Sequence, residues 1–326
     1  MKVLSLFDGI SSGRVALERV GIPVEKYYAS EIDKYAIQIT QKNYPDTIQL
    51  GDVNNFNSWQ IPEIDLLIGG SPCQDLSIAK QDRKGLDGER SGLFWKYVDC
   101  LKKFKPKYFL LENVASMPKE AKEIITNILG VEPTLINSAL LSAQQRKRLY
   151  WTNIPNITQP KDKGVCLKDI LISGLPCDVK NKGYEISKLC IDKSQSLLAR
   201  DYKGFGNQIM SGVLEPIRIG AIGKGGQGER IYSIKGKSVS LSANSGGRGA
   251  KTGLYKIDLP DGDYEIRKLH PIECERLQTL PDNYTAYGIN NENKIVSISN
   301  SQRYKCLGNG WTVDVIAHIF RNIPQN

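Results

Sequence analysis

Short apolar runs alternate with amphipathic stretches through the first half of the chain. Val3 to Phe7 reads as a buried strand, followed by a Gly- and Ser-containing turn and a helical pattern from Ser12 to Val20 that ends at Gly21 and Pro23. The rhythm then repeats. Tyr27 to Ser30 is strand-like, Asp33 is placed to cap a helix running to Asn43, and Thr47 to Leu50 and Ile64 to Ile68 are further strands, the last closing on Gly69-Gly70. Ser91 to Phe104 and Lys119 to Leu129 have helical spacing, while Tyr108 to Leu111 and Thr134 to Leu141 have strand spacing. Such alternation predicts an α/β fold built on a doubly wound, mainly parallel sheet.

The rhythm is lost near Asn156. Residues 156–262 hold 17 of the 30 glycines, and their 17 Lys plus Arg against 10 Asp plus Glu carry +7 of the total charge of +9. Helical spacing returns in HPIECERLQTLPD and again from Val313 to Ile323. The closing apolar helix needs a core to cover it, so the expected organisation is a main domain at 1–155, a smaller β- and loop-rich inserted domain at 156–262, and a segment at 263–326 returning to the main domain. Within the insert, KSQSLLA (193–199) and KSVSLSA (237–243) echo one another, either as matching turns of a β-rich unit or by chance.

With 326 residues, 40% hydrophobic and 24% charged, the chain has ordinary globular usage, which excludes disorder and fibrous repeats. No apolar run reaches the roughly 20 residues that span a bilayer, and the N-terminal segment lacks the pattern of a signal peptide. Seven cysteines without a CxxC pair and only two histidines argue against a zinc site or a disulfide framework. The expectation is a cytoplasmic protein without a metal and without a membrane partner.

Ligands of open α/β sheets bind at the carboxyl ends of the strands. Those ends are polar here: Phe7-Asp8-Gly9-Ile10-Ser11-Ser12-Gly13, Glu31, Asp52, Ser71-Pro72-Cys73-Gln74 and Glu112-Asn113-Val114. The first run is not GxGxxG and has no phosphate-binding lysine, which disfavours a pyrophosphate. Glu31, 22 residues beyond Gly9, has the spacing of an acid that bonds ribose hydroxyls, so a nucleoside without a pyrophosphate fits best. Cys73 on its loop is a candidate nucleophile, although a lone cysteine is more often a small buried hydrophobe. Glu112, closing a very apolar strand, is suited to bonding a heterocycle nitrogen and donating a proton.

Pro72-Cys73-Gln74, Glu112-Asn113-Val114, Gln144-Gln145-Arg146-Lys147-Arg148, the run RKLHPIECERLQTLP (267–281) and Gly308-Asn309, together with Phe7-Asp8-Gly9, resemble the ordered motifs of the DNA cytosine-5 methyltransferases. The resemblance implies a Rossmann-like methyltransferase fold, S-adenosylmethionine as cofactor with S-adenosylhomocysteine as product, and carbon 5 of cytosine in duplex DNA as methyl acceptor. It implies that Cys73 adds to cytosine carbon 6, Glu112 holds nitrogen 3, Arg148 binds the carbonyl oxygen and Arg146 supports the site. The cofactor is assigned to Phe7, Asp8, Gly9, Ile10, Gly13, Glu31, Ile32, Asp52, Val53, Pro72, Leu93, Asn309 and Trp311. Ser11-Ser12 stands where the family often has a glycine.

The polar, glycine-containing loop 74–92 resembles the family's mobile loop over DNA, with Gln74, Ser77, Lys80 and Arg83 as contacts; a solvated loop is its plain alternative. The basic insert becomes the target-recognition domain, with phosphate or base contacts expected from Lys224, Arg230, Lys237, Ser240, Arg248 and Lys251. Ser240-Leu241 and Ser196-Leu197 are alternative candidates for its small hydroxyl-plus-aliphatic element. Enzymes that methylate exocyclic amines carry Asp or Asn with two prolines and an aromatic at the fourth strand, and the other large class of RNA cytosine-5 methyltransferases has its cysteine after the fifth; neither pattern is present. A transfer-RNA enzyme on the same framework is the harder alternative, against which the basic insert favours duplex DNA. A non-catalytic DNA-binding remnant would be expected to have lost the Cys73, Glu112 and Arg148 set. The whole reading is a monomeric, sequence-specific bacterial or phage enzyme that flips its base out of the duplex, serving phage self-protection or restriction-modification, with any cognate restriction endonuclease acting separately.

Overall fold

The computed structural model describes residues 1–71, 92–172, 216–221, 226–241, 253–258 and 264–324. Seven strands form the main sheet: β1 (Lys2–Leu6), β2 (Lys26–Ser30), β3 (Ile48–Gln49), β4 (Leu66–Gly70), β5 (Tyr108–Val114), β6 (Thr134–Asn137) and β7 (Lys147–Thr152). Their order is β3-β2-β1-β4-β5-β7-β6, parallel except for β7, which runs antiparallel between β5 and β6. The direction of winding reverses between β1 and β4, opening a crevice at the carboxyl ends of these two strands.

Alternation along the central strands supplies two cores. Val3, Leu66, Ile68 and Leu110 join one apolar cluster, while their neighbours Leu4, Leu67, Phe109 and Leu111 join the other on the opposite face. The first face is covered by α1 (Ser12–Arg19) and α2 (Lys34–Asn43), the second by α3 (Leu93–Phe104) and α4 (Lys119–Leu129). Asp33 caps α2 as expected, its carboxylate accepting from the amides of Tyr35 and Ala36 at 2.9 and 3.1 Å.

Three features depart from the sequence reading. β5 continues through Glu112 to Val114, so Glu112 is inside a paired strand rather than just beyond it. The stretch expected as one strand at 134–141 ends at Asn137, whose side chain accepts from the Ala139 amide and starts a single 3₁₀ turn. β7 was not anticipated at all.

A second sheet, β8 (Arg218–Ala221), β9 (Arg230–Ser233), β10 (Leu254–Asp258) and β11 (Tyr264–Arg267), has the order β11-β10-β9-β8. Its Tyr232 and Tyr255 bury against the same cluster as α1 and α2. Beyond it come α5 (Pro271–Leu277), the hairpin of β12 (Tyr287–Ile289) and β13 (Ile295–Ser297), α6 (Asn300–Asn309) and α7 (Val313–Phe320). The final helix lies against α1 and buries Val313, Val315, Ile316, Ile319 and Phe320 there; Arg19 pairs with Asp314 at 2.6 Å across the seam.

Candidate active site

The turn after β1 is held in an uncommon backbone shape. Phe7, Gly9 and Ser11 all have φ near +60°, a region that costs a non-glycine residue energy. Side chains beneath the turn hold it: the Asp8 carboxylate accepts from Ser11 Oγ at 2.5 Å and from the Tyr27 hydroxyl at 2.8 Å. Burial raises the Asp8 pKa to about 6, against the lowering effect of its hydroxyl partners. The Gly9 amide donates to Glu31 Oε2 at 2.8 Å, while Glu31 Oε1 accepts from the amides of Ile32 and Asp33. The ends of β1 and β2 are thus tied through one carboxylate.

Phe7, Asp8, Gly9, Glu31, Ile32, Asp52, Val53, Leu93, Asn309 and Trp311 all line one cavity of about 340 Å³ in the crevice, as do Glu112, Arg146 and Arg148. Ile32 is 74% exposed at its mouth, an apolar surface on which a flat ring can lie. Two expected cofactor residues stand behind the cavity instead. Ile10 is fully buried, its carbonyl accepting from the Tyr284 hydroxyl, and Gly13 lets α1 approach β4, since a methyl group there would sit 2.3 Å from Ile68 Cδ1. Pro72 and Cys73 lie outside the described residues, as do Gln74, Ser77, Lys80 and Arg83.

Ser12, at the first turn of α1, was not anticipated. Its hydroxyl is buried in the cavity wall without a hydrogen-bond partner among the described residues. A buried hydroxyl costs free energy unless paired, so it and the N-terminal amides of α1 suit a carboxylate or carbonyl group of a ligand. Among the described residues no group of three or more His, Cys, Asp or Glu is placed to hold a metal ion.

The far wall is built by β5 and β7. In their antiparallel register Glu112 faces Tyr150 and Val114 faces Arg148, so Arg148 is the diagonal neighbour of Glu112. Arg148 Nε meets Glu112 Oε1 at 2.7 Å, and the Trp311 indole Nε1 donates to Oε2 at 3.2 Å. Arg146 is directed elsewhere. Its Nη1 donates to Ser240 Oγ and the Leu241 carbonyl, and its Nη2 to the carbonyls of Gly308 and Gly310, both at 3.0 Å. It therefore links the cavity wall to two distant segments.

Of the expected DNA contacts, Lys224, Arg248 and Lys251 lie outside the described residues, as does the alternative pair Ser196-Leu197. Arg230 begins β9 and is half-buried. The expectation for Lys237 is corrected by the structure. Its side chain is fully buried, with Nζ donating to the carbonyls of Ser142, at 3.2 Å, and Val165. Burial holds its pKa below the ordinary lysine value, and the ammonium cannot reach a phosphate. Ser240-Leu241 belongs to the same docked strap, the Leu241 amide donating to Gln144 Oε1 at 2.9 Å.

Comparison with known proteins gives a consistent answer. The sequence pattern of the C-5 cytosine-specific DNA methylases matches residues 1–325. Type II methyltransferase M.HhaI of Haemophilus parahaemolyticus is 31% identical across the whole of this chain and 95% of its own length. Orphan methyltransferase M.Rho11sI of Bacillus phage rho11s is 30% identical over 80% of this chain and 61% of its own. Among solved structures, the Dnmt2 methyltransferase of S. pombe superposes with a TM-score of 0.63 at 16% identity, covering 98% of this chain and 97% of that one. A DNA modification methyltransferase from an E. coli prophage gives 0.57 at 20% identity, with 99% and 98% covered. At these identities the structural likeness speaks for the Rossmann-like fold.

Proposed function

The chain belongs to the C-5 cytosine-specific DNA methylases, and on that premise we propose that it methylates one cytosine of a short duplex site through base flipping and a transient Cys73 adduct. Members of the family use S-adenosylmethionine, which supplies an electrophilic methyl group on a sulfonium. The crevice suits such a nucleoside: Glu31 and Asp52 offer carboxylates to ribose and adenine, Ile32 a surface for the ring, and Ser12 with the start of α1 a partner for the amino-acid carboxylate.

The Glu112 and Arg148 pair carries the reading. Carbon 5 of cytosine is a poor nucleophile until the 5,6 double bond is saturated. The Cys73 thiolate adds to carbon 6, and the electron pair moves toward carbon 5 and the nitrogen 3 and oxygen 2 side of the ring. Glu112 holds the proton at nitrogen 3 while the Arg148 guanidinium faces oxygen 2, so both ends of the developing charge meet fixed, largely buried partners. Carbon 5 then takes the methyl group, leaving its donor as the neutral thioether, and the proton at nitrogen 3 returns to Glu112; a base such as water removes the carbon 5 proton, and the electron pair so released reforms the 5,6 double bond as the Cys73 thiolate departs. A base inside a duplex cannot reach this wall, which is why the reaction requires flipping.

The basic insert supplies duplex contacts from Arg230 and from Lys224, Arg248 and Lys251; the enzyme acts as a cytoplasmic monomer in a bacterial host, in restriction-modification or phage self-protection, with any endonuclease a separate protein. The test is sequencing with 5-methylcytosine detection of plasmid DNA from cells expressing the chain or its Cys73→Ala variant. Methylation at one short motif by the native chain alone is expected. An unmethylated plasmid alongside methylated RNA overturns the DNA reading, and turnover by Cys73→Ala overturns the adduct.

A further inference from the structure

Trp311 stands in an unusual relation to Glu112. Its indole rests on two glycines of the crevice: a methyl group at Gly70 would lie 2.9 Å from Trp311 Nε1 and 3.0 Å from Glu112 Oε2, and one at Gly13 would lie 3.4 Å from Trp311 Cζ3. The absence of a side chain at Gly70 is what lets the indole N–H reach the carboxylate. The backbone on the other side is equally fixed, because Arg146 grips the carbonyls of Gly308 and Gly310, immediately before Trp311. Among the described residues Glu112 therefore has one donor on each oxygen, Arg148 on Oε1 and Trp311 on Oε2. Each oxygen keeps a second lone pair, so the two clamps set the plane of the carboxylate without exhausting its capacity for a base.

We propose that Trp311 is a positioning residue for Glu112: its indole N–H, buttressed by Arg146 and admitted by Gly70, holds the carboxylate in the orientation that meets nitrogen 3 of the flipped cytosine. The role is separate from the cofactor contact expected for Trp311 from the sequence, whose cavity it also lines, and it rests on the assignment of Glu112 made above. A hydrogen bond to an ionised group is worth more than a neutral one, and its loss from a preorganised site lowers the rate of the chemical step rather than the affinity for the methyl donor.

Trp311→Phe keeps the ring and deletes the donor. Transfer of labelled methyl groups from S-adenosylmethionine to unmethylated bacterial genomic DNA is measured for the native chain, Trp311→Phe, Glu112→Gln and the double variant. The expected result is kcat lower by roughly 10-fold in Trp311→Phe, with KM for S-adenosylmethionine within about 2-fold, and no further loss when the substitution is added to Glu112→Gln. A raised KM with unchanged kcat, or an equal loss in both backgrounds, overturns the proposal by making Trp311 a cofactor or packing residue. Native activity in Glu112→Gln instead overturns the underlying role of Glu112. Should Trp311→Phe not fold, the bond is read in the native chain from the indole ¹H–¹⁵N resonance of Trp311, assigned through variants of Trp59, Trp95 and Trp151. Glu112→Gln must shift that resonance, and an unmoved resonance overturns the proposal.

Discussion

Asp8 links the shape of the turn after β1 to pH. The carboxylate sits beneath three positions of positive φ, accepts from Ser11 and Tyr27, and has the charge of Glu31 near it; the Arg14 guanidinium lies 5.4 Å from the Tyr27 ring. Its pKa is raised from the ordinary 3.8 to about 6, chiefly by burial. The sign follows from proton binding. The native state holds the Asp8 proton more tightly than the unfolded chain, so stability is greatest below about pH 4 as far as this group is concerned, falls as the pH rises through 6, and levels above about 7. A difference of about two pH units at 1.36 kcal/mol each amounts to roughly 3 kcal/mol, of which about half is lost between pH 5 and 8. Asp8→Asn keeps an acceptor for one of the two hydroxyls and has no charge to bury. Urea unfolding of both proteins from pH 5 to 8, followed by circular dichroism, isolates the effect in their difference. The native chain should lose about 1.5 kcal/mol relative to Asp8→Asn across that range. Parallel profiles would refute the account, since they would mean that the Asp8 carboxylate is as well solvated in the fold as in the unfolded chain.

Two further outcomes follow from packing. Lys237→Ala should cost roughly 2–4 kcal/mol in urea unfolding, because it leaves two carbonyls without their charged donor and opens a cavity, yet leave the salt dependence of DNA affinity unchanged; a slope reduced by about one would restore Lys237 to the DNA surface. Gly13→Ala should lower stability by roughly 1–3 kcal/mol through overpacking, and adding Ile68→Val, which removes the clashing Cδ1, should recover most of it in thermal melts.

The features that could be read directly are those whose physical cause is local. Asp33 announces the start of α2 because a capping carboxylate needs only the two amides that follow it. The first two strands are equally plain, since alternation acts over a few residues. The 22-residue spacing from Gly9 to Glu31 spans one helix and one strand of a parallel unit, and the two residues are bonded in the fold. β7 escaped notice because its six residues, KRLYWT, begin with two charges and show no clean period, and its place between β5 and β6 depends on partners distant in the chain. Lys237 misled for a related reason. A lysine in a basic, glycine-rich stretch reads as solvated, and only the carbonyls of Ser142 and Val165, far away in sequence, make its burial tolerable.

By itself, then, the sequence determined the alternating architecture, the polar strand ends and the ordered motifs, because propensity, capping and periodicity are properties of neighbouring residues. Tertiary structure alone decided what those motifs face. The antiparallel register of β5 and β7 brings Arg148 to Glu112, two bare glycines admit the indole of Trp311, and Arg146 ties the cavity wall to the carbonyls of residues 241, 308 and 310. These are contacts between groups tens to hundreds of residues apart, whose energies depend on distances of a few ångströms that no local pattern encodes.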